Sequence, residues 1–566
     1  MKRAILLALL LTGLLGVSWG AYRAVVPPEP ELSHFVPSGA LLYLQAKDFS
    51  SLLTDWDKSQ EKESWLKSKD YDVFAQSRLL LRLNDAGGEF SKAAGVPPDA
   101  NLLHQVAGKQ TALALYDIGK LQFLYITKLS SGDSMQSALW QTRSTFETRS
   151  AGGVSFFYRK DPDSEREVAF AVANDYLLLA TREDLMAGAL ELLAGGKAQC
   201  VEEEGWWSRP VGAAGAPGEL RMVLNLEKIV PSPYFRSYWI QRNITDMKQY
   251  SAAISDLTRS GKEYHEERIL LRKDGAAREA GKGPAAVGEI LRLVPAGTGI
   301  YEAKADPDPK DSVELLTVKI LAPHLGPAAV EKLAPGVQLG SGETGSASDL
   351  ETRIDQAPAQ AQHPAGTDGS AALQAVFAKN HVLAQLQLQG TDRDSTGVFV
   401  RIHSAVAFLG ESDWDEQTVR AALVEFVRPG FTTGQLGLEW QAASGYSVLD
   451  GLWPLAIAVR GKYLIVSDSA ALMSATLDGL SKKPAAAATA VFAAGFDHHQ
   501  EQQNFIALTG LLDARTRSSV NGGRPEFFSE NIASLSFALR DVFSEKIIIR
   551  DSGERQNQTV VYAWAR

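Results

Sequence analysis

The residues of this chain that could do chemistry are few and scattered. Ser64-Trp-Leu-Lys67 sets a hydroxyl and an amine one helical turn apart, the spacing that lets a lysine act as base in penicillin-binding enzymes. Those enzymes also carry S-D-N and K-T-G elements, which this sequence lacks. Ser64 also lies among Lys58, Glu61, Lys62, Glu63, Lys67, Lys69 and Asp70, so the pattern reads as a solvated helix face. His498 and His499, beside Asp497, form the densest set of metal ligands. Neighbouring residues of a strand point to opposite faces, so adjacent histidines share an ion only from a loop. Phe496-Asp-His-His-Gln-Glu-Gln-Gln503 is polar and precedes the apolar run Asn504–Thr509, which predicts an exposed loop with at most a weak surface metal site. Gly340-Ser-Gly-Glu-Thr-Gly345 is glycine-rich, but no strand leads into it, so a phosphate cradle is not expected. Cys200 is the single cysteine. It excludes an internal disulfide and a multi-cysteine metal site and reads as a tolerated thiol in a glycine-rich loop. Asp413, Asp415 and Glu416 read as charges that complement a helix N-terminus. No catalytic constellation and no cofactor is implied.

The aromatic residues are denser than the polar ones. Trp206 and Trp207, with Tyr234, Phe235, Tyr238 and Trp239, crowd one junction in the first half of the chain. They read either as core between sheet and helix or as an apolar surface for a lipid, glycan or protein partner.

The elements that must position these residues are said twice. Val172-Ala-Asn-Asp-Tyr176-Leu-Leu-Leu-Ala180 followed by Glu183–Leu193 reads as a buried strand, a turn and an amphipathic helix. Val459 to Leu480 repeats it, with Val172/Val459, Tyr176/Tyr463, Leu185/Leu472, Met186/Met473 and Leu190/Leu477 matching without gaps. Each half opens on a Pro-Gly turn into a strand, Val36-Pro-Ser-Gly39 before Tyr43 and Val294-Pro-Ala-Gly297 before Tyr301. The offset between the strand–helix pairs (459 − 172) exceeds that between the openings (294 − 36), so the second half carries a net insertion between these points. Residues 334–369, rich in Gly, Ser, Ala, Pro and Gln, supply one that is too poor in apolar side chains to order itself.

Further strands are expected at Thr111–Asp117, Leu121–Thr127, Val154–Arg159, Glu167–Ala173, Glu219–Leu226, Tyr250–Asp256 and Tyr264–Arg272, and near the end at Ser534–Arg540, Lys546–Arg550 and Thr559–Trp564. Helices are expected over Phe49–His104 and Pro233–Lys248, and a loop over Gly195–Gly218. Asn174-Asp175 and Gly461-Lys462 mark tight turns. The later strands alternate apolar and polar residues, which predicts a sheet with one covered face. The fold class is α+β: two tandem duplicated units, at about 31–280 and 285–566, each a mostly antiparallel sheet with helices packed on one face. Lys273–Pro284 is the expected joint.

A chain of 566 residues exceeds one hydrophobic core. Its 45% hydrophobic and 22% charged residues are those of a globular protein, and a net charge of −10 gives no electrostatic reason to bind nucleic acid. Met1-Lys-Arg3 followed by the uncharged Ala4–Ala21 is the pattern of a secretory signal peptide or a membrane anchor, covering residues 1–24. The basic start places the remainder of the chain outside the cytoplasm. Val25–Glu31, with three prolines, is an extended spacer. The expected address is periplasmic, secreted, or anchored to the inner membrane through the N-terminal segment.

The V-P-x-G-x-x-x-Y opening, the Ala-Leu-Ala-Leu-Tyr strand at 112–116, and the Tyr-Leu-Leu-Leu strand running into a Leu-Met helix resemble a domain-of-unknown-function group of secreted or membrane-anchored bacterial proteins. That resemblance implies no activity and no catalytic residues. The functional expectation is a non-enzymatic envelope protein that acts as a partner-binding scaffold. The alternatives are a carrier of a lipid or other apolar ligand, and a cryptic hydrolase.

Overall fold

The computed structural model describes residues 30–564 apart from 68–70, 72–74, 77, 234–246, 276–282, 322–367, 397–398, 432–438, 452, 484–488, 499–500 and 502–541. The expected N-terminal signal or anchor, the spacer up to residue 29 and nearly all of the 334–369 insertion lie outside the described residues. So do the strand expected at 534–540 and the run 504–509. Among the described residues, no helix is long and apolar enough to cross a membrane.

The fold is α+β. The chain forms two compact units. Unit 1 takes the chain up to Leu53, then Leu83–Gly212 and Met222–Ser237. Unit 2 takes Thr54–Arg82, Ala213–Arg221 and Tyr238 onward.

The strands of unit 1 are β1 (Leu42–Ala46), β2 (Thr111–Asp117), β3 (Gln122–Lys128), β4 (Glu147–Ala151), β5 (Val154–Lys160), β6 (Glu167–Ala173), β7 (Tyr176–Ala180) and, from Met222 on, β8 (Leu220–Asn225). They pair in the order β8-β1-β2-β3-β7-β6-β5-β4, antiparallel from β1 to β4. All five residues of β7 are buried, so both of its faces are covered. On one face Tyr125, Val168, Phe170, Leu177 and Leu179 meet Phe90, Ala93 and Ala94 of α1 (Arg78–Ala94) and Leu102 and Val106 of α2 (Ala100–Val106). The other face is covered by α3 (Glu183–Leu193), which buries Leu185, Met186, Ala189 and Leu190 as one stripe and carries Glu183 and Asp184 at its positive end.

The strands of unit 2 are β9 (Tyr250–Ser260), β10 (Glu263–Arg272), β11 (Ile300–Ala305), β12 (Val382–Thr396), β13 (Phe399–Gly410), β14 (Trp440–Ala442), β15 (Ser447–Asp450), β16 (Pro454–Arg460), β17 (Tyr463–Ser467), β18 (Phe492–Asp497), β19 (Val542–Asp551) and β20 (Arg555–Trp564). Their order is β9-β10-β20-β19-β18-β11-β12-β13-β17-β16-β15-β14, antiparallel throughout. Within it the run from β18 to β14 repeats, strand for strand, the order of β8 to β4 in unit 1. The tight turns also correspond: Asn174 between β6 and β7 and Gly461 between β16 and β17 both take positive φ, +52° and +55°.

Helices cover both faces in unit 2 as well, where alternation in the sequence predicts one. Val406, Phe408, Leu455, Ile457, Leu464 and Val466 form one face, packed by α6 (Pro309–Leu316), α7 (Asp368–Asn380) and α8 (Glu416–Phe431). Ala405, Ala407, Leu409, Ala456, Ala458 and Ile465 form the other, packed by α5 (Pro284–Ile290) and α9 (Ala470–Lys482). The physical reason is visible in the strands. Leu455–Val459 of β16, Leu464–Val466 of β17 and Ala405–Leu409 of β13 are continuous apolar runs, and such runs belong to strands buried on two faces. Clear alternation is seen in β9, in Ala384–Gln389 of β12 and in β8.

β9, β10, β19 and β20 form a ribbon with a local two-fold. β19 and β20 begin at one constant offset from β9 and β10 (542 − 250 and 555 − 263). In the β10–β20 ladder Glu267 pairs with Thr559, the residue at that same offset, at the centre of the paired stretch. The backbone bonds flanking the ladder obey the same symmetry: Arg272 N donates to Glu554 O at 2.9 Å, and Trp564 N to Lys262 O at 2.8 Å. This pairing is why β9 and β10, which precede the expected joint at Lys273–Pro284, fall in unit 2.

Candidate functional site

Lys67 is well exposed and forms an ion pair with Glu63, whose carboxyl it holds below the usual range, so it is no desolvated base for Ser64. His498 is half-buried and is placed by the strand before it. It directly follows β18, a strand paired with β11 and β19, and packs edge-on against Phe496 with ring centroids 4.3 Å apart. Burial pushes its imidazole pKa down, against the charge of Asp497. His499 lies outside the described residues. Asp415 accepts from Gln417 N at 3.2 Å and bonds the Thr418 hydroxyl at the start of α8, the helix-end role its charge predicts.

Trp206 and Trp207 lie not in a loop but on α4 (Gly205–Ala213), a helix that starts on glycine and contains Pro210. Trp207 packs edge-on against Tyr43 at 6.2 Å, and both indole N–H groups are buried without a hydrogen-bond partner among the described residues. Tyr234, Phe235, Tyr238 and Trp239 lie outside the described residues, so the expected aromatic surface is described only in these two tryptophans.

The cluster that the fold does assemble is one that sequence reasoning passed over. A 3-10 turn, Leu32–Phe35, and a second one, Val201–Glu203, are held face to face by a bridge between Pro37 and Cys200. Ser38 N donates to Gln199 O at 3.0 Å and Val201 N to Val36 O at 2.8 Å. Leu32, Phe35, Val36 and Val201 are buried beneath them. His34, Cys200 and Glu202 thereby offer three donor atoms within 4.8 Å of one another. Ser33, itself buried, donates from its hydroxyl to the other oxygen of Glu202 at 2.6 Å. Burial raises the Cys200 thiol pKa, and the charges of Glu202 and Glu203 add to the shift, so the sulfur holds its proton. No local signal marks this site, because His34 and Cys200 meet only through the fold.

The corresponding junction of unit 2 is closed by other groups. Arg292, which stands to Val294 as His34 stands to Val36, donates to the carbonyls of Leu480 and Lys483 at the end of α9, both at 2.8 Å, and to Glu289 Oε1 at 2.7 Å. Tyr463 also bonds Glu289, whereas the matching Tyr176 stacks edge-on against Phe35 at 5.4 Å. A second difference lies one turn beyond β7 and β17. Thr181 Oγ1 accepts from Phe123 N at 2.8 Å in unit 1. In unit 2 a buried carboxylate, Asp468, accepts from Ser404 N at 2.8 Å, with His403 Nδ1 at 3.6 Å.

No family model matches the chain, and no curated protein matches it. Among solved structures it is similar to TP0453 in crystal form I, at 11% identity and a TM-score of 0.26 over 44% of this chain and 81% of that one. It is also similar to crystal form IV, at 12% identity and a TM-score of 0.24 over 44% and 83%.

Proposed function

We propose that this is an extracytoplasmic protein of the bacterial envelope, delivered or anchored by its N-terminal segment, which binds a partner and transforms no substrate. The observation that carries the proposal is one strand order dressed in two different ways. The shared order keeps the frame, while the edges, junctions and buried polar groups differ from one unit to the other. The edge strand β4 bears Glu147 and Arg149, and its counterpart β14 is Trp440-Gln441-Ala442. A frame kept with diverged surfaces suits two partner-specific faces better than one shared reaction centre. A common origin of the two units by duplication accounts for the matching order. Lys2-Arg3 ahead of Ala4–Ala21, with the Pro-rich spacer behind, supports the address.

The test is to purify the full chain gently from each cell fraction and identify by mass spectrometry the molecules that travel with it in stoichiometric amount. Recovery from the periplasm or inner membrane with a reproducible protein partner is the expected result. A stoichiometric lipid with no protein would replace the scaffold by a carrier, and recovery from the cytosol would overturn the address.

A further inference from the structure

Where unit 2 closes its opening turn with a guanidinium, unit 1 presents an imidazole, a thiol and a carboxylate to one another. His34 Nδ1 and Glu202 Oε2 are 3.6 Å apart. That is beyond the roughly 2.7–3.2 Å of a hydrogen bond and close to the edge of a tetrahedron of ligands around zinc. Three donors no more than 4.8 Å apart share a centre within about 2.8 Å of each. Zinc takes its nitrogen, oxygen and sulfur ligands at roughly 2.0–2.3 Å. Shifts of a few tenths of an ångström in side chains that are partly exposed close that gap.

The surroundings are those of a built site. The backbone of Cys200 is fixed on both sides by the bonds to Val36 and Ser38. The Ser33 hydroxyl orients Glu202 from behind, the arrangement that aims a carboxylate at a metal. Glu203 Oε1 lies 4.0 Å from Cys200 Sγ and is placed to join as a fourth ligand. Thiolate with imidazole and carboxylate selects borderline-soft ions over calcium and magnesium.

We propose that His34, Cys200 and Glu202 form a binding site for a zinc-class divalent cation, with Glu203 or a water as the fourth ligand. Binding would fasten the opening turn of unit 1 to the loop that follows α3, as Arg292 fastens the turn of unit 2.

The test uses the full chain, reduced and stripped of metal, titrated with cobalt(II) and then with zinc. A sulfur-to-cobalt charge-transfer band that saturates at one equivalent and is displaced by zinc is expected. His34→Ala and Glu202→Gln should each weaken binding at least about 10-fold, Ser33→Ala by roughly 10-fold, and Cys200→Ser should abolish the band. His498→Ala should change nothing. Zinc should also raise the melting temperature of the parent chain and leave that of His34→Ala unmoved. No band at excess cobalt overturns the site. A band equally strong in His34→Ala and Glu202→Gln also overturns it, because it would mark a lone thiol adduct. Both of those variants change partly exposed side chains, so the outcome does not depend on the buried cysteine variant folding.

Discussion

In unit 2 the turn that leads into β11 is fastened to the end of α9 by two side chains, Arg292 and Lys483. Arg292 satisfies two helix-end carbonyls and is steadied by Glu289, while Lys483 Nζ donates back to Val294 O. In unit 1 the matching turn is paired to the chain after α3 through backbone bonds, packing and the bonds of Ser33 to Glu202 and of Gly39 N to Glu204. The same junction is thus closed by a guanidinium in one unit and by a serine–carboxylate bond and backbone pairing in the other. The ribbon of unit 2 makes a similar contrast with itself. Its local two-fold relates Arg272 to Trp564, yet one end is held by a buried ion pair and the other by the edge-on stack of Tyr264 and Trp564 at 5.9 Å.

The ribbon offers the largest effect. The Arg272 side chain is 1% exposed and holds Asp551 through two bonds, at 2.7 and 2.6 Å, and Gly553 O at 2.8 Å. Arg272→Ala strands a largely buried carboxylate and should cost about 3–5 kcal/mol, read from the denaturant midpoint. Arg272→Met with Asp551→Leu should recover most of that loss. Trp564→Ala, at the symmetric end, should cost roughly 1–2 kcal/mol. Equal losses at the two ends would mean that the ribbon is held by its backbone ladder alone.

The turn beyond β17 comes next. Asp468→Ala leaves the buried Ser404 N–H without an acceptor and should cost about 1.5–3 kcal/mol, since its bond goes to a charged group. Thr181→Ala removes a neutral acceptor and should cost about 1 kcal/mol. The sharper experiment imports the solution of one unit into the other. Asp468→Thr should lose less than Asp468→Ala if the threonine reaches the same N–H, and as much if His403 requires the carboxylate.

At the opening junctions, Arg292→Ala should destabilise by about 1–2 kcal/mol, because the carbonyls of Leu480 and Lys483 lose their donor. His34→Ala in metal-free protein should stay within about 0.5 kcal/mol, as a half-exposed residue whose loss strands no buried group. Thermal melts of the two variants check the contrast. An equally large loss at His34 would show that unit 1 is clasped as tightly as unit 2.

Much of the frame is legible in the sequence because turns and apolar runs are local. Val-Pro-Ser-Gly39 and Val-Pro-Ala-Gly297 announce turns, and both glycines take positive φ, +98° and +81°. β2, β3, β5, β6 and β7 fall within a residue or so of expectation. The features that escape are set by tertiary context. β4, Glu-Thr-Arg-Ser-Ala, has no apolar pattern because it is a half-exposed edge. α4 opens on glycine and contains proline, both poor helix signals. β18 reads Phe-Ala-Ala-Gly-Phe-Asp, weak in strand formers, yet a Cβ at Gly495 would come within 2.3 Å of the Tyr301 ring, so the close approach of β11 demands glycine there. The His34–Cys200–Glu202 cluster leaves no trace at all, because its first two members are remote in the chain and neither lies in a ligand motif.

The smallest effect depends on pH. The Tyr463 hydroxyl, with Arg292 beside it, holds the Glu289 carboxyl below the usual carboxylate range. A depressed value in the folded state means that the group stabilises the fold while ionised. Its contribution is complete above the ordinary glutamate pKa of about 4.3 and is lost as the pH falls through the depressed value. Glu289→Gln should therefore lower stability at pH 7 by less than about 1 kcal/mol, the pair being partly solvated, and the gap from the parent should close in acid. Glu31, which stands to Val36 as Glu289 stands to Val294, meets the Gln45 amide at 3.1 Å, so Glu31→Gln is the matched variant in unit 1. Melting temperatures of both variants between pH 7 and pH 3 give the comparison. A gap at Glu289 that widens in acid would mean that burial, and not the phenol and the guanidinium, governs that carboxyl. The junction of unit 2 would then lose its claim to be closed by an ionic clasp.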